Sequence, residues 1–165
     1  MTAFVLDVSV TMAWCFEDES SDDTWRLLDR LADDTALVPG IWAAEVANVL
    51  LVAERKKRLV RAQSRAFAAR LLSLPILVEE AAPSRLLSDV LTLGRETGLA
   101  SYDAMYLDLA IRHDLPLATL DRALRTAART STLSSSSSGS ERSCSSANTG
   151  ASCLTCLRRS RSDEK

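Results

Sequence analysis

The chain has 165 residues, 47% apolar and 25% charged, with a formal net charge of −2. These values suit one globular domain with a sizeable core and exclude collagen-like or wholly disordered chains. No run approaches the ~18 apolar residues of a membrane span, and a basic leader region is missing at the start, so the expected location is the cytoplasm.

The elements alternate. AFVLDV opens the chain as a strand (residues 3–8), and a helical pattern follows over 21–34, with Ser20, Ser21 or Asp22 able to cap it. TALVP (35–39) reads as a second strand, and Pro39 precedes a helix over 41–57. A further helix covers 61–74, the strand PILVE covers 75–79, and a helix over 83–97 stops at Gly98. Helix 102–113, strand LPLATL (115–120) and helix 121–129 complete the pattern. Short, continuously apolar strands separated by helices predict an α/β fold, a three-layer α/β/α arrangement around a central parallel sheet. Ligands in such folds gather at the carboxyl ends of the strands.

Near residue 130 the composition changes to serine and glycine with almost no large apolar side chains. Residues 1–130 are therefore expected to form the domain, and 131–165 a low-complexity, disordered tail. The break is also what a frame shift or a vector-derived extension produces. A doubly wound domain would usually add a strand after helix 121–129, and none is recognisable.

Charge is unevenly distributed. Residues 1–54 carry eleven acidic and two basic side chains, whereas 55–70, RKKRLVRAQSRAFAAR, carry seven basic and no acidic ones. Arg55, Lys56, Lys57, Arg58 and Arg61 can therefore contact a polyanion, or can simply form a solvated face. Cysteine supplies no framework: Cys15 stands alone in the first 130 residues, with Cys144, Cys153 and Cys156 in the tail. With His113 the only histidine, a zinc site lacks ligands.

Four carboxylates stand where apolar residues or helix starts are expected. Asp7 follows an apolar strand, and Glu45 lies on a stripe with Ile41, Asn48, Val49 and Val52. Asp103 falls in the first turn of an apolar helix, and Asp121 follows LPLATL directly. Each has a structural alternative: Asp7, Asp103 and Asp121 can cap helices, and Glu45 can pair with an arginine. Together they suggest more, because parallel strands bring Asp7 and Asp121 to one sheet edge. Crowded carboxylates repel and take up protons unless a cation joins them. An all-oxygen donor set favours Mg²⁺ or Mn²⁺, ions that activate water for displacement at phosphorus.

Competing chemistries lack their residues. The glycines at 40, 94, 98, 139 and 150 form no phosphate-binding loop, and no Gly-x-Ser-x-Gly elbow accompanies Ser9 and His113. An aspartyl phosphatase would place a second aspartate where Ser9 stands. Asp108 is five residues from Asp103, roughly 140° around the helix, and is expected to point elsewhere.

FVLDVSV, the Glu45 helix, LASYDAMYLDLA and LPLATLDRAL occur in the order and approximate spacing of PIN-domain ribonucleases. The chain most resembles the VapC toxins of type II toxin–antitoxin (VapBC) modules, over residues 3 to about 129. The resemblance implies an endoribonuclease that hydrolyses RNA, such as tRNA or rRNA, with Mg²⁺ or Mn²⁺. It implies a catalytic and metal-binding quartet of Asp7, Glu45, Asp103 and Asp121, with Asp7 and Asp103 foremost as direct ligands. Ser9 and Thr119 match polar positions that orient carboxylates or waters. A VapB-type antitoxin placing a basic side chain near the carboxylates, and a homodimer assembled with it, are further implied. The missing last strand departs from the family pattern. Two rivals remain: an RNA-processing PIN nuclease outside a toxin–antitoxin pair, and a PIN module that binds antitoxin without cutting.

Overall fold

A computed structural model describes residues 2–135. Strand β1 (Ala3–Leu6) runs into helix α1 (Val8–Ala13), and a 3₁₀ turn (Glu17–Glu19) leads to α2 (Asp22–Arg30). Strand β2 (Thr35–Pro39) precedes α3 (Trp42–Arg55) and α4 (Arg61–Leu72), then β3 (Ile76–Glu79). An arm of α5 (Pro83–Arg85), a π turn (Leu86–Val90) and α6 (Leu91–Thr97) follows. Helix α7 (Ser101–His113), strand β4 (Leu117–Ala118) and α8 (Arg122–Ser135) close the described chain.

The four strands form one parallel sheet in the order β3-β2-β1-β4. Successive strand residues face opposite sides of a sheet. Phe4, Val5 and Leu6 are all 1% exposed or less, so helices cover both faces of β1 and the fold has three layers. Helix α7 packs on β1, β2 and β4, with α6 and α8 against it. The register pairs Leu6 with Ala118, and the Asp7 amide donates to the Ala118 carbonyl at 3.0 Å, so β1 and β4 end side by side. Among the described residues no helix is long and apolar enough to cross a membrane.

The α/β class and the parallel sheet agree with the sequence, and the differences in detail have local causes. Helix α1 enters the sequence reading only as the helix that Asp7 could cap, because Val8, Val10 and Thr11 are β-branched and favour strands. Burial of Val10, Thr11, Met12 and Ala13, with the Thr11 hydroxyl donating to the Asp7 carbonyl at 3.2 Å, outweighs that preference. Strand AFVLDV consequently ends at Leu6. Helix 41–57 stops at Arg55, since Lys57 adopts a left-handed conformation (φ 58°) that turns the chain. Strand LPLATL shrinks to two residues because the Thr119 side chain turns to Asp7.

Helix α8 runs to Ser135, five residues into the segment expected to be disordered. Three of its hydroxyls are satisfied within the helix: Thr126, Thr130 and Ser131 donate to the carbonyls of Arg122, Thr126 and Ala127. The rest of the tail expectation, over 136–165, lies outside the described residues, as do the three tail cysteines.

Candidate metal centre at the sheet edge

Asp7 leaves the carboxyl end of β1 and occupies the N-cap position of α1, yet its side chain makes no capping hydrogen bond. Two hydroxyls take its Oδ2 instead: Ser9 Oγ donates at 2.5 Å and Thr119 Oγ1 at 2.7 Å. Each hydroxyl is itself fixed, because the Leu120 amide donates to Ser9 Oγ at 2.9 Å and the Asp121 amide to Thr119 Oγ1 at 3.0 Å. Ser9 and Thr119 therefore tie the end of β1 to the β4–α8 turn. Arg125 braces this turn from behind, donating to the carbonyls of Thr119 and Leu120 at 3.2 and 3.4 Å.

Asp7 is buried, at 3% exposure, and burial holds its carboxyl above the usual range despite the two hydroxyls and the nearby amides of Val8 and Ser9. An unpaired buried charge is unfavourable and persists only where something else requires it.

Glu45 enters from the first turn of α3. Its Oε2 accepts a 2.6 Å hydrogen bond from the Tyr106 hydroxyl, which reaches across from α7. Burial raises its carboxyl first; the Tyr106 hydroxyl opposes this, and the charges of Asp7 and Asp103 add to the rise. Asp103 sits in the first turn of α7, and its carboxylate has no hydrogen bond from another described residue. Its carboxyl is also raised, by burial and then by the charges of Asp121 and Asp7. Asp121 caps α8: its Oδ1 accepts from the Leu124 amide at 2.7 Å.

The capping alternative thus holds for Asp121, whose electrostatic coupling to Asp103 gives it a place in the cluster as well. It fails for Asp7, and Asp103 lies inside the first turn rather than at the cap. Among the described residues no arginine pairs with Glu45. Among the described residues, no ion pair joins any of the four carboxylates to a cation. They do not form a closed group of three that could hold an ion as arranged. In chemistry the donor set still fits a hard divalent cation: all oxygen, four negative charges and mutual repulsion. The positive ends of α3, α7 and α8 only partly offset that charge.

Asp108 points away from the cluster. It is buried between Arg85 at 3.1 Å and Arg112 at 2.9 Å, and Arg112 also pairs with Glu79 at 2.6 Å, so this network joins α7 to α5 and β3.

The basic residues lie at the far end of α3, roughly 15 Å along the helix from Glu45. Arg55, Lys56, Lys57 and Arg61 are exposed around the α3–α4 turn. Arg58 differs from them: it bridges Asp18 at 2.9 Å and Glu19 at 3.0 Å and lies 4.1 Å over the Phe16 ring.

Sequence reasoning missed Tyr106. It lies three residues after Asp103, a spacing that places the two on neighbouring helix positions, but in an apolar helix a tyrosine reads as core. It is core, at 0% exposure, with its hydroxyl as the polar exception.

A family model described as PIN domain matches residues 4–130. Among solved structures, PAE2754 from Pyrobaculum aerophilum is 24% identical with a TM-score of 0.60, covering 81% of this chain and 97% of that one. VapBC2 from Rickettsia felis, bound to a DNA fragment from their promoter, is 15% identical with a TM-score of 0.56, covering 76% and 92%. Mycobacterium tuberculosis VapC20, a sarcin-ricin loop cleaving toxin, is 15% identical with a TM-score of 0.54, covering 75% and 94%. At these identities the likeness is one of fold. No curated protein matches.

Proposed function

The chain belongs to the PIN-domain family, and from that premise we propose that it is a Mg²⁺- or Mn²⁺-dependent endoribonuclease, the toxin of a type II toxin–antitoxin module. What supports this reading is the electrostatic coupling of Asp7, Glu45, Asp103 and Asp121, with no ion pair to a cation among the described residues; burial first, then neighbouring carboxylates, raise Glu45 and Asp103, and burial raises Asp7. Repelling carboxylates cost stability, and such groups gather at functional sites.

Asp7 and Asp103 would hold the ion, with Glu45 and Asp121 completing the site directly or through water. The bound ion supplies an activated water and charge neutralisation at the scissile phosphodiester. Ser9 and Thr119 keep Asp7 aimed while their own oxygens are held by the β4–α8 turn. Tyr106 fixes Glu45 from inside the core. The exposed cations Arg55, Lys56, Lys57 and Arg61 would contact RNA phosphates away from the cut, contributing salt-dependent affinity without sequence choice.

The fold likeness to VapBC2 and VapC20 supports a toxin with a VapB-type antitoxin as partner over an RNA-processing role; the assembly we propose with it is a homodimer, as the family resemblance implies. The cytoplasm, where such RNA is found, is the location that follows. The test is incubation of purified protein with tRNA and rRNA in Mg²⁺, Mn²⁺, Ca²⁺ or EDTA. Cleavage in Mg²⁺ or Mn²⁺, little in Ca²⁺ and none in EDTA is expected. Undiminished cleavage in EDTA contradicts the metal mechanism, and no cleavage under any condition contradicts the nuclease.

A further inference from the structure

The hydrogen bonds around the carboxylates divide their oxygens unequally. Tyr106 donates to Oε2 of Glu45, leaving Oε1 without a hydrogen bond from a described side chain. Ser9 and Thr119 both donate to Oδ2 of Asp7, leaving Oδ1 without a side-chain donor, though the amides of Val8 and Ser9 lie near the carboxylate. The donors are not interchangeable with water: Tyr106 is 0% exposed and Thr119 is 3% exposed, so neither hydroxyl can turn to solvent for another partner. A carboxylate whose second oxygen is held by a buried hydroxyl offers one oxygen to an ion.

Cations differ in what they ask of such a ligand. Calcium takes ~6–8 oxygens at ~2.3–2.6 Å and often binds both oxygens of a carboxylate, whereas magnesium requires near-octahedral geometry at ~2.0–2.1 Å, usually with one oxygen per carboxylate. We propose that the hydroxyls of Tyr106, Ser9 and Thr119 restrict Glu45 and Asp7 to one metal-facing oxygen each, and that Tyr106 thereby sets the site's preference for a small octahedral cation over calcium. The inference rests on the metal-binding reading above and deepens it. Tyr106 is a positioning residue: it acts through Glu45 and touches neither ion nor RNA.

The test is calorimetric titration of Mn²⁺, Mg²⁺ and Ca²⁺ into the full chain as wild type, Tyr106→Phe, Glu45→Ala and the double variant, with circular dichroism to confirm folding. Removing such a supporting partner typically lowers metal affinity ~10–100-fold. Tyr106→Phe should weaken Mn²⁺ and Mg²⁺ about tenfold or more while Ca²⁺ is unchanged or tighter, so the Mn²⁺-over-Ca²⁺ preference falls at least about tenfold. Adding Tyr106→Phe to Glu45→Ala should change nothing further. Equal weakening of all three ions, or an effect that persists without Glu45, overturns the inference and leaves the phenol a packing element. Should Tyr106→Phe fail to fold, Ser9→Ala combined with Thr119→Val decides, because the pair removes both hydroxyls from Asp7 Oδ2 and should move the preference the same way. An unchanged preference there overturns the proposal. Wild type that binds neither Mn²⁺ nor Mg²⁺ sinks the metal reading itself; wild type that binds them, with an unaltered preference in the variants, sinks this inference alone.

Discussion

Asp7→Asn separates the stability of this fold from its chemistry. Asp7 is 3% exposed, and burial outweighs the Ser9 and Thr119 hydroxyls to hold its carboxyl above its ordinary value of 3.8. Asparagine keeps the shape and can still accept both hydroxyls, but carries no charge to bury. Burying an ion costs several kcal/mol in real proteins. The two hydroxyl bonds recover about 2 kcal/mol more when the acceptor is charged than when it is neutral. The net expectation is a gain of about 1–2 kcal/mol at pH 7.5 in EDTA, or about 2–8 °C in Tm for a chain of this size.

The pH dependence follows from the direction of the shift. A carboxyl whose pKa rises on folding favours the folded state when protonated, so wild type gains stability as pH falls through that raised pKa, completely so below 3.8. The variant lacks this gain, and its advantage should shrink over the same window and vanish near pH 3.8. Asp34 and Glu79, whose carboxyls are lowered by their partners, titrate in both proteins and cancel in the difference, whereas Glu45 and Asp103 lose the repulsion of Asp7 in the variant and add to its advantage over the same window. Mn²⁺ at ~100 times its Kd should add about 2.7 kcal/mol to wild type and far less to the variant, inverting the order. Thermal melts in EDTA and in Mn²⁺ across pH 3.5–8 make the measurement. A variant less stable than wild type in EDTA at pH 7.5 refutes the claim that Asp7 is kept charged at the expense of stability.

Asp108→Asn should lower stability by about 1–2 kcal/mol, a figure reduced from the buried-pair range because Arg85 and Arg112 are partly exposed, and leave metal-dependent cleavage within a few-fold; urea melts and the RNA assay check both. Charge reversal at Arg55, Lys56, Lys57 and Arg61 should weaken RNA binding and reduce its salt slope by roughly one for each phosphate no longer neutralised, read from affinities at several salt concentrations. Arg58→Ala should change that slope less than any of these, since its guanidinium is occupied by Asp18 and Glu19. Removing residues 136–165, after the described end of α8, should leave the rate of RNA cleavage within a few-fold, whereas a cut at residue 130 removes helical residues and should also lower Tm.

The sheet was legible because continuously apolar runs such as TALVP have few alternatives once helices separate them. The four carboxylates draw notice for the opposite reason: a charge at the end of such a run, or on an apolar helix stripe, is locally unfavourable and stands out. What stayed hidden depends on tertiary contacts. Helix α1 forms against its own β-branched residues because burial rewards it, and no local propensity reports that. Tyr106 carries one polar atom on a ring that otherwise serves the core, so pattern alone assigns it to packing. Arg58 sits within a run of like charges, and only the fold brings Asp18 and Glu19 beside it. Asp121 shows the two levels together, capping α8 as its position suggested while lying close enough to Asp103 to raise its pKa.

The central claim, that the carboxylates at the ends of β1 and β4 and at the starts of α3 and α7 form a metal site, is tested most directly by anomalous diffraction from crystals grown with Mn²⁺. The predicted result is an anomalous peak about 2.1 Å from Asp7 Oδ1 and from a carboxylate oxygen of Asp103, lost in Asp103→Asn crystals. Mn²⁺ bound only elsewhere, or a peak that persists unchanged in Asp103→Asn, would contradict it.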